Sequence, residues 1–588
     1  MEGAPDNYKV YPETNPSAKS NKKHTILYKL RTHFKSYCNH TSIHGFQYFG
    51  QNRTIFEKCW WIFIFICIIS GCGYGIYLIY NKWQQSPVIV SLTTRDTPIY
   101  QVPFPAVTIC PTIRFFKKCM NYGVLFKNVT EGNLNKHNIS SWTKNEKNLL
   151  HYMIPLCKRN DALHELIDEP TSSDEIYEAI RNCSPFVSGE GVTVHFMNEI
   201  LTFNSSFNQL FTEDGLCFSF NMLSTENIFK NTTNFKRGSS SSSGPKSFWI
   251  PQQGYSIDAD LDTFPRRALL SGAANSLEIK LRHRKEDIDY VCTGAEQGYK
   301  VILHLPTRVP RPTLEYNMAP FGKSTTIRVD PHMMSTSTVV KSYDPKKRDC
   351  YFSEEKYLQY FNIYSKTNCD FECITNYTLK ECGCVPFHMP REISTPLCGI
   401  GMRGCVIFAA EKYNLMKLKS KLKESKRADS STRMFSTFTE VAFDNNTDAN
   451  ETENVGSRKK RQVEPLLEDA DEDEARCSCM RSCSDITYKG SASTTDYNWR
   501  ESSVEEYSNV SSEYDYSLIT IYLDTNVLFT TERNELYGPT DFLSNFGGLL
   551  GLFTGFSILS FMEIIYFCSL RIVGNQRIVG RWYGDKEE

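Results

Sequence analysis

A single carboxylate lies inside the most apolar part of the carboxyl-terminal region. Glu563 follows "GLLGLFTGFSILSFM", residues 548 to 562, and no other Asp, Glu, Lys or Arg occurs between about Phe542 and Leu570. A charge in hydrocarbon costs several kcal/mol, so it survives where it meets water, a partner or an ion path. A ring of such carboxylates from several chains would attract cations. The alternative is a glutamate near enough to the segment's end to reach the headgroups.

Four small residues form a stripe before this carboxylate. At about 100° per residue, one narrow helical face contains Ser544, Gly548, Gly551 and Gly555. Such a stripe lets helices approach closely, which is also how a narrow pore is built. Ser557 lies nearly opposite on a straight helix, so if Gly555 and Ser557 both face an axis, the backbone there must be extended. Carbonyls freed by that break can replace an ion's hydration shell. The segment is therefore predicted to line an ion pore.

Two segments have the length of a membrane helix, about 20 apolar residues. The first, 59 to 81, carries no charged side chain and is bordered by tryptophans, as interfacial segments are. The second runs from 541 to 570. A buried helix of a soluble protein is the alternative for each. The first segment follows nearly sixty residues, which places it too deep for a cleaved signal peptide.

Basic residues beside these segments predict the orientation. Positively charged flanks of membrane helices stay in the cytosol. Before the first segment the basic residues are Lys9, Lys19, Lys22, Lys23, Lys29, Arg31, Lys35, Arg53 and Lys58. After the second segment they are Arg571, Arg577 and Arg581. We therefore expect a multi-pass protein of the plasma membrane with cytosolic segments 1 to 58 and 571 to 588 and an extracellular domain over 82 to 540.

The cysteines agree with this topology. Sixteen of the 21 fall in the predicted extracellular domain, an even number that suits paired disulfides. Zinc binding by the dense block between Cys350 and Cys483 is the alternative. Asn-x-Ser/Thr glycosylation tripeptides are weaker evidence for this topology, because two also occur on the predicted cytosolic side. The extracellular candidates are Asn128, Asn138, Asn182, Asn204, Asn231, Asn376, Asn445, Asn450 and Asn509.

The extracellular domain divides by pattern. Runs such as "FPAVTICP", "GLCFSFNM", "SLEIKLRH" and "YKVILHLP" predict strands of a central sheet. Residues 119 to 215 carry helical patterns and form a peripheral, helix-rich part. The stretch 411 to 476 contains "SRKKRQV" and "EDADEDE", which predicts a disordered insertion. Its Arg458 to Arg461 run is either a protease site cut after Arg461 or a solvated basic cluster.

Composition and motifs exclude several function classes. The formal net charge of −1 provides no basic field for nucleic acid. His-Glu-x-x-His, Gly-x-Ser-x-Gly and phosphate-cradling loops are absent from the sequence, so neither an enzyme nor a cofactor is expected.

Four separated signatures together resemble the epithelial sodium channel/degenerin family, and most of all its insect pickpocket branch. These are His44-Gly45 before the first span, "FPAVTIC" at 104 to 110, the cysteine block, and "GLFTGFSILSFMEIIYF" at 551 to 567. The match covers both membrane ends and most of the extracellular domain, whereas 119 to 215 and 411 to 476 match poorly. The resemblance implies an α+β membrane protein: two transmembrane helices, a β-cored extracellular domain with a helical finger (119 to 215) and a disulfide-rich thumb (350 to 483), and trimeric assembly.

The resemblance also assigns roles to single residues. The family's Gly-x-Ser selectivity filter falls on Gly555, Phe556 and Ser557, and the acidic residue of its second span falls on Glu563. The small position where bulk holds the pore open falls on Ser544. The cytosolic re-entrant gating element contains His44 and Gly45. Phe556 departs from the family, whose middle filter residue is usually small, and this leaves selectivity between sodium and potassium open.

The same resemblance implies six disulfides, which are Cys110–Cys217, Cys350–Cys483, Cys369–Cys479, Cys373–Cys477, Cys382–Cys405 and Cys384–Cys398. It leaves Cys119, Cys157, Cys183 and Cys292 without assigned partners.

The function implied is that of a subunit in a non-voltage-gated, amiloride-sensitive channel for Na⁺, assembled as a homotrimer or a heterotrimer with related subunits and opened by an unidentified extracellular stimulus. A two-pass receptor or adhesion protein is the main alternative, and an ATP-gated two-pass trimer shares the topology. A mere anchor would gain nothing from Glu563 or from a break at Gly555.

Overall fold

Apolar segments near the two ends of the chain and strand-rich sequence between them define two units. The computed structural model describes residues 22–578 except 52, 86–87, 94–95, 135–137, 140, 159–162, 164–168, 187–188, 235–248, 257–258, 261–262, 440–476 and 503–511. Residues 1–89 and 535–588 belong to one unit, called the terminal unit here, and residues 90–534 to the other, the central unit.

The terminal unit is helical. Its helices are α1 (Lys22–His40), a short helix Gln47–Gly50, α2 (Ile55–Gln85), α8 (Pro539–Thr554), α9 (Ile558–Ile565) and α10 (Arg571–Ile578), with a π-helical turn Tyr566–Leu570 between α9 and α10. Helix α2 extends four residues beyond each predicted bound. It is the one described helix that is long and apolar enough to cross a membrane by itself.

The second predicted span, 541 to 570, is not one straight helix. It consists of two helical pieces bent by 72° relative to each other, either a broken span or a re-entrant loop. Helix α8 packs along α2, because α2 carries glycines at the contact: a Cβ added at Gly75 would lie 3.1 Å from Leu549 Cδ1, and one at Gly71 would lie 3.4 Å from Phe553 Cε1. Near the other end of this contact, Trp83 stacks on Phe542 with ring centroids 5.0 Å apart.

Two sheets form the centre of the central unit. In chain order their strands are β1 (Val88–Leu92), β2 (Ala106–Pro111), β3 (Val192–Phe196), β4 (Glu199–Leu201), β5 (Phe207–Thr212), β6 (Gly215–Phe220), β7 (Leu277–Arg284), β8 (Gly298–His304), β9 (Asn317–Pro320), β10 (Lys323–Thr336), β11 (Asp485–Asp496), β12 (Tyr514–Leu523) and β13 (Thr531–Glu535). The larger sheet has the order β1-β13-β10-β12-β7-β3-β4, with β11 paired to β10, and the smaller has the order β9-β8-β2-β6-β5.

The predicted strand runs all lie in these sheets. Strand β7 shows why: Leu277, Ile279 and Leu281 are buried while the residues between them are more exposed, the period-two pattern of a half-buried strand. Strand β2 is buried along its whole length, as expected for a strand covered on both faces. The main core joins residues of both sheets, among them Val107, Ile279, Val301, Ile327 and Ile519.

The finger region is only partly helical. Helices α3 (Tyr122–Thr130), α4 (Lys144–Met153) and α5 (Glu175–Cys183) occupy its first part, but β3, β4 and β5 occupy 192 to 212. The prediction of a helix-rich region therefore holds only up to Cys183. The apolar residues beyond that point alternate, as in "VTVHF" (Val192–Phe196), and join the two sheets.

The thumb region is built on two helices, α6 (Lys366–Cys382) and α7 (Arg403–Thr439). Cys369 and Cys373 lie one turn apart on α6 and bond to Cys479 and Cys477 respectively. Four helical residues and two extended residues advance by similar distances, about 6 Å each, so the two bonds can form side by side. A third bond, Cys382–Cys405, joins the end of α6 to the start of α7.

All six disulfides implied by the resemblance are present, the remaining three being Cys110–Cys217, Cys350–Cys483 and Cys384–Cys398. The structure also pairs the four cysteines that the sequence left open, as Cys119–Cys183 and Cys157–Cys292. Among the described residues, the cluster with metal-ligand spacing is Cys369, Cys373 and Cys479, and its three sulfurs are all used in disulfides.

The prediction of disorder for 411 to 476 is wrong over its first part, since α7 continues to Thr439. The first part of this stretch is charged, but it is also rich in Lys, Leu, Met and Ala, which favour helices. Ala409 and Tyr413 of α7 point inward at helical spacing, and the Tyr413 ring lies 5.7 Å from that of Tyr377 in α6. Residues 440 to 476, including the Arg458–Arg461 run, lie outside the described part of the chain.

The glycosylation candidates differ in exposure. Asn138, Asn182, Asn204 and Asn231 are exposed, and Asn128 is half-buried. Asn376 is half-buried too, and its Oδ1 accepts a hydrogen bond from the Tyr360 hydroxyl at 3.2 Å, which makes it the least suitable acceptor. Asn445, Asn450 and Asn509 lie outside the described residues.

The remaining elements are short. The helices are Phe203–Ser206, Thr225–Ile228, Tyr290–Thr293, Thr338–Lys341, Pro345–Arg348 and Trp499–Ser502, and the two-residue strand pairs are Thr97–Pro98 with Val527–Leu528, Thr171–Ser172 with Leu397–Cys398, Trp249–Ile250 with Gly254–Tyr255, and Cys350–Tyr351 with Arg481–Ser482.

Candidate functional site

The break in the second apolar segment lies at Gly555, Phe556 and Ser557. Gly555 ends α8 in the left-handed conformation, with φ 66° and ψ 15°, which glycine adopts without steric cost. Ser557 is extended, with φ −121° and ψ 174°. The sequence predicted an extended backbone here if Gly555 and Ser557 both face an axis. In the structure only Ser557 is extended, where it starts the next helix, whereas Gly555 is left-handed and turns the chain.

Local hydrogen bonds hold the break on both sides. Gly555 N donates to Gly551 O at 2.9 Å, which satisfies a carbonyl at the end of α8. On the other side, Ser557 caps α9: Ser560 N donates to Ser557 Oγ at 3.2 Å and Ser557 N donates to Ser560 Oγ at 3.1 Å. Helix α8 therefore ends, and helix α9 begins, at a hydrogen-bonded cap, so the break has a defined conformation.

The loop with His44 and Gly45 covers this break. His44 N donates to Thr554 O at 2.9 Å. The His44 ring lies over Gly555, since a Cβ added there would be 2.7 Å from its Cγ and Nδ1. Gly45 has φ +86° and open space around its Cα, so a turn in the left-handed region is what requires glycine at 45. The structure thus brings together two motifs that the sequence places at opposite ends of the chain.

Glu563 contacts the same loop. Its Oε2 accepts hydrogen bonds from Ser42 N at 3.0 Å, from Ser42 Oγ at 3.2 Å and from Thr41 Oγ1 at 3.3 Å. Ser42 Oγ also lies 2.7 Å from Oγ of Ser560, which is fully buried. The carboxylate that the sequence placed in the pore is therefore tied to the residues just before His44.

Sequence reasoning missed Thr41, Ser42 and Ser560. The available signal was weak: two hydroxyl residues immediately precede His44, and a serine lies three residues before the carboxylate, on the same helical face. Nothing in either local pattern indicates that the two groups meet.

Aromatic side chains fix the segments around this loop. Phe567, in the π-helical turn, is buried, and its carbonyl accepts a hydrogen bond from His33 Nε2 of α1 at 2.9 Å. Tyr37 of α1 meets the same ring edge-on at 5.2 Å. After the loop, Tyr48 stacks on Trp61 of α2 with centroids 4.0 Å apart. The loop is thus anchored at both of its ends.

A cavity of about 400 Å³ lies beside the loop. Its walls are residues 41–45 and 47–49 on one side and, on the other, Trp61, Ile64, Phe65 and Ile68 of α2 with Phe553 of α8.

Three of the four residues of the small-residue stripe face open space. Ser544 is exposed, nothing lies within 4 Å of a Cβ added at Gly548, and one added at Gly551 would meet only Phe556 O, at 4.0 Å. Within the described part of this chain, these three residues are not used for packing, so they are available to a neighbouring helix or to a passage, whereas the fourth residue of the stripe, Gly555, lies under the His44 ring.

Comparisons with known proteins point to one family. A profile described as Amiloride-sensitive sodium channel matches residues 37–567. Pickpocket protein 28 of Drosophila melanogaster is 25% identical over 561 residues, which covers 91% of this chain and 78% of that protein. Sodium channel protein Nach of the same organism is 21% identical over 93% of this chain and 89% of its own length. The human Bile acid-sensitive ion channel is 22% identical over 89% of this chain and 83% of its own.

Proposed function

The chain belongs to the amiloride-sensitive sodium channel family, and from that premise we propose that it is one subunit of a non-voltage-gated, amiloride-sensitive channel that conducts Na⁺ across the plasma membrane. Three chains, identical or related, surround the conduction path. Both termini are cytosolic, and the disulfide-braced central unit is extracellular. Conduction needs no cofactor.

The observation that carries this proposal is the capped break at Gly555 to Ser557 with His44 seated on it. Irregular backbone at membrane depth is tolerated where it lines a water-filled path or is buried in protein. A span that only anchored a receptor or an adhesion protein would gain nothing from a 72° bend, an inserted loop and a carboxylate. These features therefore favour a channel over the anchor alternative.

The residues of the site have separate roles in this proposal. Gly555, Phe556 and Ser557 form the narrow part, where backbone carbonyls and the serine hydroxyl replace water around a cation. The Phe556 side chain distinguishes this narrow part from filters with a small middle residue, and selectivity for Na⁺ over K⁺ depends on how three such rings pack. Ser544 belongs to the small-residue stripe that closes the path when the three helices approach.

Glu563 has two roles in the proposal. It adds negative charge to the cation path, and through Ser42 and Thr41 it holds the loop that seats His44 against Gly555. One oxygen of the carboxylate makes all three hydrogen bonds, so the second oxygen remains for the path.

The experiment is whole-cell recording from cells that express the Ser544→Val chain. A branched side chain on the stripe should prop the helices apart and give an inward current in sodium that disappears when a large impermeant organic cation replaces sodium and that amiloride blocks. Ser544→Ala, which keeps the residue small, is the matched control and should stay closed. Surface delivery of Ser544→Val with no current, alone or with related subunits, would overturn the proposal.

A further inference from the structure

The outer face of α7 carries an apolar stripe that no described residue covers. Its members are between 45 and 57% exposed, and they are Ile407, Phe408, Leu415, Leu418 and Leu422. At about 100° per residue they fall on one side of the helix, over some 22 Å of its length at 1.5 Å per residue. Contiguous apolar surface of this kind on a water-facing helix indicates a binding face.

The opposite face of α7 packs against α6, the other helix of the thumb. Lys412 and Lys417 lie on this side and pair with Glu381 and Asp370 of α6 at 3.2 and 2.7 Å. Ala409 of α7 is fully buried. The stripe therefore takes no part in the packing of α7 against α6.

Charges beside the stripe favour an acidic occupant. Lys419 and Lys421 are exposed near the stripe's leucines, and neither makes an ion pair with any residue in the described ranges. Among the side chains of α7 that the structure describes, those up to Leu422, Glu411 is the exposed carboxylate on the stripe's side, and it lies toward the other end. The leucine-rich end thus combines three half-exposed leucines with two uncompensated cations.

The chain supplies a segment of matching composition. Residues 464 to 474, "EPLLEDADEDE", place Leu466 and Leu467 ahead of an almost continuous acidic run. Two leucines followed by carboxylates are complementary to three leucines flanked by lysines.

The disulfide Cys373–Cys477 places this segment within reach of the stripe. Cys477 follows the acidic run by three residues and is bonded to Cys373 of α6. Cys373 lies between Asp370 and Tyr377, which contact Lys417 and Tyr413 of α7. Ten extended residues span up to about 35 Å, whereas packed helices lie about 8–10 Å apart. The leucines at 466 and 467 can therefore reach the far side of α7.

We propose that residues 464 to 474 of this same chain dock on the stripe of α7, with Leu466 and Leu467 against Leu415, Leu418 and Leu422 and with the acidic run on Lys419 and Lys421. The site belongs to the thumb and operates whether or not the chain conducts ions.

The test measures the accessibility of a cysteine placed on the stripe. Leu418→Cys is expressed in the full chain on intact cells and treated with a membrane-impermeant maleimide, with the parent chain as background. Leu314→Cys is the matched control, because Leu314 is 68% exposed on another part of the central unit. The proposal predicts that Leu418→Cys reacts at least about tenfold more slowly than Leu314→Cys, which corresponds to about 1.4 kcal/mol of docking free energy.

A second variant identifies what covers the stripe. Replacing Leu466 and Leu467 with serine should raise the Leu418→Cys rate to that of the control and leave the Leu314→Cys rate unchanged. Equal rates for the two cysteines in the otherwise unaltered chain would overturn the proposal. A slow Leu418→Cys rate that the two serines do not change would also overturn it, because a second copy or another protein would then cover the stripe.

Discussion

The ring of His44 lies on Gly555 so closely that a methyl group at 555 would come within 2.7 Å of its Cγ and Nδ1. The two residues are held in register by the hydrogen bond from His44 N to Thr554 O. Two features therefore require glycine at position 555: the left-handed φ, and the space beside its Cα that the imidazole ring occupies.

Gly555→Ala should abolish most of the current without preventing surface delivery. The left-handed conformation costs a residue with a Cβ about 1–2 kcal/mol, and the methyl group would push the His44 ring away. Whole-cell current in the Ser544→Val background measures the effect. The control is Gly547→Ala, since a Cβ at Gly547 meets nothing within 4 Å. Adding His44→Ala to Gly555→Ala removes the contact and should restore part of the current; no restoration would mean that backbone strain alone matters.

The contact between Glu563 and Ser42 should appear as an energetic coupling. Hydrogen bonds to a charged acceptor are stronger than those to a neutral one, so Glu563→Gln and Ser42→Ala should each destabilise the purified chain. Because they remove parts of one interaction, their effects should be non-additive by about 1 kcal/mol. Thermal unfolding of the two single variants and the double variant measures this. Ser569→Ala, whose hydroxyl bonds to Ile565 O, is the control and should be additive with Glu563→Gln.

The finger disulfides can be tested chemically. Digestion of the unreduced chain should release peptides linked through Cys119–Cys183 and through Cys157–Cys292, identified by mass spectrometry before and after reduction. A peptide linking Cys119 to Cys157 or to Cys292 would contradict the fold of the finger. The Cys110–Cys217 peptide serves as an internal control, because those residues face each other on paired strands β2 and β6.

Acid should destabilise the central unit through buried histidines. Burial lowers the pKa of His304 to about 4, below its ordinary value near 6.5. As pH falls from about 6.5 to about 4, the unfolded chain binds a proton that the folded chain excludes, so the free energy of unfolding falls. For His304 this amounts to about 2 kcal/mol between pH 7 and pH 5.

Thermal unfolding of the purified full chain at these two pH values checks this prediction. In His304→Gln the difference in Tm between pH 7 and pH 5 should be smaller than in the parent chain. Part of the difference should remain, because burial also lowers the pKa of His283 and of His388 to about 4. An unchanged difference would show that the folded chain protonates His304 at its ordinary pKa.

Local sequence patterns predicted much of this architecture. Alternation in β7 and the continuous apolar run of β2 predicted strands, because burial on one or both faces leaves those periodicities in the sequence. The break between α8 and α9 was also expected, since Gly555 and Ser557 could share a face only off a straight helix. Its left-handed geometry was not, because glycine allows both conformations.

Contacts between residues far apart in the chain could not be predicted from local sequence patterns. Ser42 and Glu563 are 521 residues apart, and no periodicity within either segment encodes their meeting. The helix over 411 to 439 could not be predicted for another reason: its outward face carries lysines and leucines together, so the sequence lacks the clear separation of polar and apolar faces that marks an amphipathic helix.

The most direct test of the central account asks whether Ser557 faces the moving ions. Ser557→Cys is combined with Ser544→Val, and cadmium ions, small cations that bind thiolates, are applied from outside while whole-cell sodium current is recorded. Ser544→Val alone controls for the native cysteines. The account predicts that cadmium blocks the current of the combined variant and leaves the control current intact. A sodium current that cadmium does not alter in either chain would contradict a conduction path lined by Gly555, Phe556 and Ser557.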